Sequence, residues 1–135
     1  MAKKILALVT EPISGQALKS AIGKDEAEAA EVLVVAPALS SRLKFWTSDP
    51  DDAIAHAEEV QQETVERLDE EGIDAAGDTG ESDPLLAIQD ALQTYPADEI
   101  VICTHATDGE NWQEEGVVDE ARKRFDRPVI HLVID

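Results

Sequence analysis

The stretch Glu99-Ile100-Val101-Ile102-Cys103, followed by Thr104-His105-Ala106-Thr107-Asp108-Gly109-Glu110-Asn111-Trp112, decides the fold. Its first five residues form an apolar run of strand length. A helix follows from Asn111 to Phe125, with Val117, Val118, Ala121 and Phe125 on one face. A buried strand feeding an amphipathic helix is half of a parallel βαβ unit.

The same alternation runs outward in both directions. Pro128 to Ile134 is a final apolar strand. Upstream, Asp83-Pro84 starts a helix that runs to Gln93: Asp83 caps free N–H groups and proline suits the first helical position. Leu85, Ile88 and Leu92 face inward, and Tyr95-Pro96 stops the helix. Ile73 to Gly77 reads as a short, weak strand near an edge, and Asp78 to Ser82 as a turn. Asp49 to Glu71 is the longest helix, apolar along Ile54, Ala57, Thr64, Val65 and Leu68, and closed by Gly72. Before it, a loop from Pro37 to Pro50 carries Phe45 and Trp46. Glu31 to Ala36 is a Val-rich strand, Ser14 to Ile22 a short helix closed by Gly23, and Lys3 to Val9 the first strand.

Five strands separated by helices imply an α/β protein with a doubly wound, five-stranded parallel sheet of Rossmann-like type, covered on both faces. The expected strand order is 3-2-1-4-5, in a single domain spanning residues 1–135. Ligands in such sheets bind where the direction of winding reverses. That point lies between strands one and four, so loops Thr10 to Ser14 and Thr104 to Asn111 would face each other.

Composition narrows the function. No apolar run approaches the roughly 20 residues needed to span a bilayer. The basic start Met1-Ala2-Lys3-Lys4 precedes only a short apolar run with Glu11-Pro12 close behind, which is not a signal peptide's pattern. A cytoplasmic protein is expected. The one cysteine, Cys103, excludes an internal disulfide and a cysteine-cluster metal site. It reads as an inward-facing core residue. Thirty acids against eleven Lys plus Arg give a formal net charge of −19. Such a surface repels nucleic acid and anionic membrane and weighs against a polyanion such as ATP. Solubility, or a salty host cytoplasm, is the plain explanation of the acidity.

The order and phrasing of these segments resemble the universal stress protein family over nearly the whole chain. The matching phrases are Lys4-Ile5-Leu6-Ala7-Leu8-Val9, Glu31-Val32-Leu33-Val34-Val35-Ala36 and Glu71-Gly72-Ile73. Gly80 to Ile88, Ala97-Asp98-Glu99-Ile100-Val101-Ile102 and Arg127-Pro128-Val129-Ile130-His131-Leu132-Val133 complete the set. The resemblance implies an adenine nucleotide alpha hydrolase-like fold and a stress-response or regulatory role. It also implies a homodimer joined through the last strand, with Val129, His131 and Val133 in contact. An apolar edge strand suits such pairing. The family's nucleotide-binding branch has an aspartate after strand one and a Gly-x2-Gly-x9-Gly-Ser/Thr motif after strand four. Those glycines let backbone N–H groups approach phosphate. This chain has Thr10 or Glu11 at the first place. At the second it has only Gly109 and Gly116, with Trp112 where the next motif glycine would fall. ATP and AMP are therefore disfavoured, and no cofactor is expected.

The candidate ligand residues are Thr10, Glu11, Val35, Thr104, His105, Asp108, Gly109, Asn111 and Trp112. Asp108 or Asn111 can simply cap the last helix, with Glu114 completing a capping box. Alternatively, Thr104 and His105 offer hydrogen bonds and Trp112 a stacking face to a small ligand. Glu11 and Asp108 could hold a hard cation, but the acid and lysine set of a receiver domain is absent. His56, His105 and His131 lack metal-ligand spacing. No catalytic set is recognisable, so an enzyme is not expected. The loop around Phe45 and Trp46 covers the core or, with Arg42 and Lys44, faces a partner. The preferred function is a stress-response module that does not bind ATP in the usual way. The alternatives are an adenine-nucleotide or other small-ligand protein with a modified phosphate loop, and a metal-assisted hydrolase.

Overall fold

β1 (Lys4–Leu8) is the central strand, and Ile5, Leu6, Ala7 and Leu8 are all buried, although they point alternately to opposite faces. A strand covered on both sides needs such an unbroken apolar run. The computed structural model describes residues 3–9, 13–37, 50–80, 84–105 and 111–134. Along the chain, β1 is followed by α1 (Gly15–Ile22), α2 (Lys24–Ala29), β2 (Glu31–Pro37), α3 (Pro50–Glu70) and β3 (Asp74–Gly80). Then come α4 (Pro84–Thr94), β4 (Glu99–His105), α5 (Asn111–Arg124) and β5 (Val129–Ile134). The sheet is parallel throughout with order β3-β2-β1-β4-β5, as the sequence reading expects.

Two apolar layers hold the helices to the sheet. On one face Ile5, Ala7, Val32, Val34, Val101 and Cys103 pack with Leu18 of α1, Ala27 of α2 and Ala57, Val60 and Leu68 of α3. On the other, Leu6, Leu8, Val35, Ile100 and Ile102 pack with Ala87, Ile88 and Ala91 of α4 and Val118 and Ala121 of α5. Cys103 is 2% exposed, the core residue its sequence context suggests.

Three expectations need correction. α2 is absent from the sequence reading. It is short, buries only Ala27, and has no side-chain cap, so neither periodicity nor capping announces it. β3 spans Asp74–Gly80 rather than Ile73 to Gly77, and Asp78 to Gly80 are strand, not turn. Its ladder with β2 continues through Val35↔Asp78, Ala36↔Thr79 and Pro37↔Gly80. Backbone pairing with an apolar neighbour overrides the low strand propensity of Asp and Gly. β4 likewise runs two residues past Cys103, pairing Thr104 with Val133 and His105 with Ile134. Glu81, Ser82 and the expected cap Asp83 lie outside the described residues.

α3 ends as its sequence suggests. Gly72 adopts φ 79, its N–H donates to the Asp69 carbonyl at 3.0 Å, and the Ile73 N–H donates to the Leu68 carbonyl at 2.9 Å. This is the Schellman pattern, and the buried pair Leu68 and Ile73 supplies its apolar contact.

Candidate functional site

β1 and β4 lie side by side, paired up to Leu8↔Ile102, and the chain reverses its winding between them. Their carboxyl ends therefore flank the crevice where this architecture binds ligands. On the β1 side two backbone N–H groups anchor the chain, one at Val9 and one at Ile13. The Val9 N–H donates to the Val35 carbonyl at 3.0 Å. The Ile13 N–H donates to the Thr64 hydroxyl of α3 at 3.4 Å. Ser14 then caps α1, its Oγ accepting from the Ala17 N–H at 3.1 Å. Gly15 is pressed against α3: a Cβ there would collide with Glu71 and lie 3.3 Å from the Arg67 carbonyl. Thr10 and Glu11 fall between these anchors, outside the described residues.

On the β4 side, Thr104 and His105 continue the strand, and α5 opens at Asn111, where the sequence reading starts its last helix. The side chains of Thr104, His105, Asn111 and Trp112 lie outside the described residues, as do Asp108 and Gly109 altogether. Val35 is 1% exposed, and its side chain packs beneath the crevice in the α4 and α5 layer. Gly116 sits within α5, exposed, with nothing within 4 Å of a built Cβ. Among the described residues it makes no close approach to another part of the chain.

Thr64 anchors the β1 side of the crevice, a role the sequence does not disclose. Helical spacing places it on the apolar face of α3, but its partner lies 51 residues away. Only a polar residue in register with Ala57, Val60 and Leu68 hints at it, and it is fully buried. Among the described residues no group of three His, Cys, Asp or Glu is placed to hold a metal ion. No helix of the described residues is long and apolar enough to cross a membrane.

The opposite end of the sheet is a network of charges. Lys3 Nζ lies 2.7 Å from Glu99 Oε1 and 3.6 Å from Glu26 Oε2. The hydrogen bond to Glu99 raises the Lys3 ammonium above its ordinary value. The Tyr95 hydroxyl donates to the Glu31 carbonyl at 2.8 Å. Burial pushes this phenol up to about 12, and the carboxylates of Glu31, Asp74 and Asp98 add to the shift. Arg127 donates from Nη1 to the Ala97 carbonyl at 2.8 Å.

β5 forms one edge of the sheet. Val129 packs toward the α4 and α5 layer, His131 is half-buried, and Val133 is 49% exposed.

No known family profile matches the sequence, and no curated protein matches it. Solved structures do match. A universal stress protein family protein from Arabidopsis thaliana with AMP bound is 14% identical, with TM-score 0.67 over 98% of this chain and 92% of that chain. A universal stress protein from Archaeoglobus fulgidus is 17% identical, with TM-score 0.64 over 98% and 99%. One from Archaeoglobus fulgidus in complex with dAMP is 19% identical, with TM-score 0.63 over 96% and 97%. The resemblance read from the order of the strand and helix phrases thus holds at the level of architecture, and the chain has the fold of the universal stress proteins.

Proposed function

We propose that this protein is a cytoplasmic stress-response or regulatory module of universal stress protein type that does not hold ATP in the family's usual way. The observation that carries this reading is the placement of Gly116 within α5, beyond the first turn, where its N–H is committed to the helix. A phosphate cradle needs several backbone N–H groups free of helix bonds and approachable by the ligand. Between the end of β4 and the start of α5, Gly109 is the only glycine. The module acts as a homodimer through β5, which suits an apolar strand at a sheet edge.

A second reading keeps a modified small-ligand crevice between β1 and β4. It draws on the AMP and dAMP held by structures of the same fold. Titration calorimetry with ATP and AMP, with and without Mg²⁺, tests the first reading. No saturable ATP heat at micromolar concentrations is expected. Saturable micromolar ATP binding would overturn it.

A further inference from the structure

The two edges of the sheet differ in chemistry. β3, at one edge, exposes Asp74, Ala76, Gly77 and Asp78. β5, at the other, reads Val129-Ile130-His131-Leu132-Val133-Ile134 and carries no Asp, Glu, Lys or Arg. Its residues from Val129 to Leu132 are half-buried, and Val133 is 49% exposed. Charges on an edge strand guard it against pairing. β5 lacks that guard in a chain of formal net charge −19, so this strip is where a second copy meets least repulsion.

The sheet's hydrogen bonds fix which backbone groups of β5 point away from it. The Ile100 N–H donates to the Pro128 carbonyl at 2.9 Å, and Ile100 stands opposite Val129 in the ladder. In a parallel pair, alternate residues turn both N–H and C=O toward the neighbour. Ile130 and Leu132 therefore turn theirs toward β4, and Val129, His131 and Val133 turn theirs outward. Antiparallel pairing of two β5 strands about a twofold axis uses all of these outward groups when it is centred on His131. Val129 then exchanges bonds with Val133 of the second copy, and the two His131 residues exchange bonds with each other. Centring on Ile130 or Leu132 instead leaves Val133 or Val129 without a partner in β5.

Residues directly opposite in such a pair have Cα atoms about 5.5 Å apart and side chains on one face. His131 stands beside Ile102 in the ladder, and Ile102 belongs to the layer covered by α4 and α5. The two imidazoles meet on that face, between two pairs of Val129 and Val133. Like charges directly opposite destabilise paired strands.

We propose that acid opens the β5 homodimer: neutral His131 side chains meet at its axis, and their protonation drives the two copies apart. This rests on the homodimer reading above. β5 packs against β4, α1 and α5. β4 brings Glu99, held by Lys3, together with Cys103 and His105. α1 brings Lys19, which is paired with Glu28. α5 brings Glu114, Glu115, Asp119, Glu120, Arg122, Lys123 and Arg124, of which Glu120 and Arg124 pair with each other. Arg127, just before β5, donates to the Ala97 carbonyl. These groups act on His131 in the single copy and in the pair alike. Pairing adds a second imidazole at the shortest range, where Coulomb repulsion is steepest.

The sign separates this device from a general charge effect. Acid neutralises carboxylates and so lessens repulsion between two copies of net charge −19, which by itself tightens a dimer. Imidazole gains its charge between about pH 8 and about pH 5, and charging the His131 pair loosens it.

Sedimentation equilibrium at about pH 7.5 and about pH 5.5 tests the proposal. The dimer Kd is expected to rise about tenfold or more at the lower pH. His131→Gln, uncharged at both, should keep one Kd. Proton NMR of the unaltered protein gives a second measurement. The titration midpoint of the His131 ring should fall as protein concentration rises, because the dimer disfavours the proton. A dimer whose Kd does not rise in acid, or whose rise survives His131→Gln, overturns the proposal and leaves the homodimer reading standing. A monomer at every pH overturns both. A midpoint indifferent to protein concentration across the dimer Kd overturns the proposal even where the variant does not fold.

Discussion

The backbone N–H of Ile13 donates to the hydroxyl of Thr64 across 51 residues of sequence, at 3.4 Å, with both residues buried. Through it α3 sets where the chain leaves the crevice and enters α1. Thr64→Val keeps the volume and removes the acceptor, leaving a buried amide unsatisfied. The expected cost is about 1–2 kcal/mol in denaturant unfolding. Exchange of the Ile13 amide should quicken by more than the global loss explains, and Thr64→Ser should recover most of the effect. Unchanged Ile13 exchange in Thr64→Val would show that this bond does not hold the segment.

Gly15 and Gly116 should respond oppositely to alanine. At Gly15 a Cβ meets the Glu71 side chain near its root and the Arg67 carbonyl of α3. Gly15→Ala is expected to destabilise by about 1–3 kcal/mol. At Gly116 the Cβ enters open space inside a helix, and Gly116→Ala should stabilise by about 0.5–1 kcal/mol. Thermal unfolding of the two variants side by side measures both signs. A destabilising Gly116→Ala would reveal a close approach that a second copy or a ligand supplies.

Tyr95 is the only tyrosine, so phenolate absorbance reports on it alone. Its folded value is pushed up to about 12 from 10.0, chiefly by burial. The folded state then holds a proton that the unfolded state releases, so this contribution is whole below pH 10. It declines as pH rises from 10 to about 12. Lys3, raised by Glu99, acts in the same direction. Spectrophotometric titration should show a midpoint near 12 in the folded protein. Tyr95→Phe should flatten the alkaline fall in stability and lose about 0.5–1 kcal/mol with the bond to the Glu31 carbonyl. A midpoint near the ordinary phenol value would contradict the burial.

Val133 is an exposed apolar residue on the edge strand β5. If β5 joins two copies, Val133→Lys places a charge in the pairing face without disturbing the core. Sedimentation should then move from dimer to monomer with circular dichroism unchanged. A dimer that survives this substitution uses another surface.

The sequence by itself determined the five strands, the direction of winding and the strand order. Continuous apolar runs such as Ile5 to Val9 and Glu99 to Cys103 occur where both faces of a strand are covered, and the helices between them leave parallel crossovers as the solution. Gly23 and Gly72 were legible as helix ends because both need positive φ, at 96 and 79. Extents that depend on a neighbour were not legible. The tail of β3 and the last two residues of β4 are strand only because β2 and β5 offer them a ladder. α2 has too little apolar face to announce itself. At the crevice, the sequence supplied the residue types around Asp108 and Asn111. Only the tertiary structure tied Ile13 to Thr64 and pressed Gly15 onto α3. It also turned the backbone groups of Val129, His131 and Val133 away from β4. An apolar run announces a strand, but only the neighbour it pairs with fixes which of its two edges points out of the sheet.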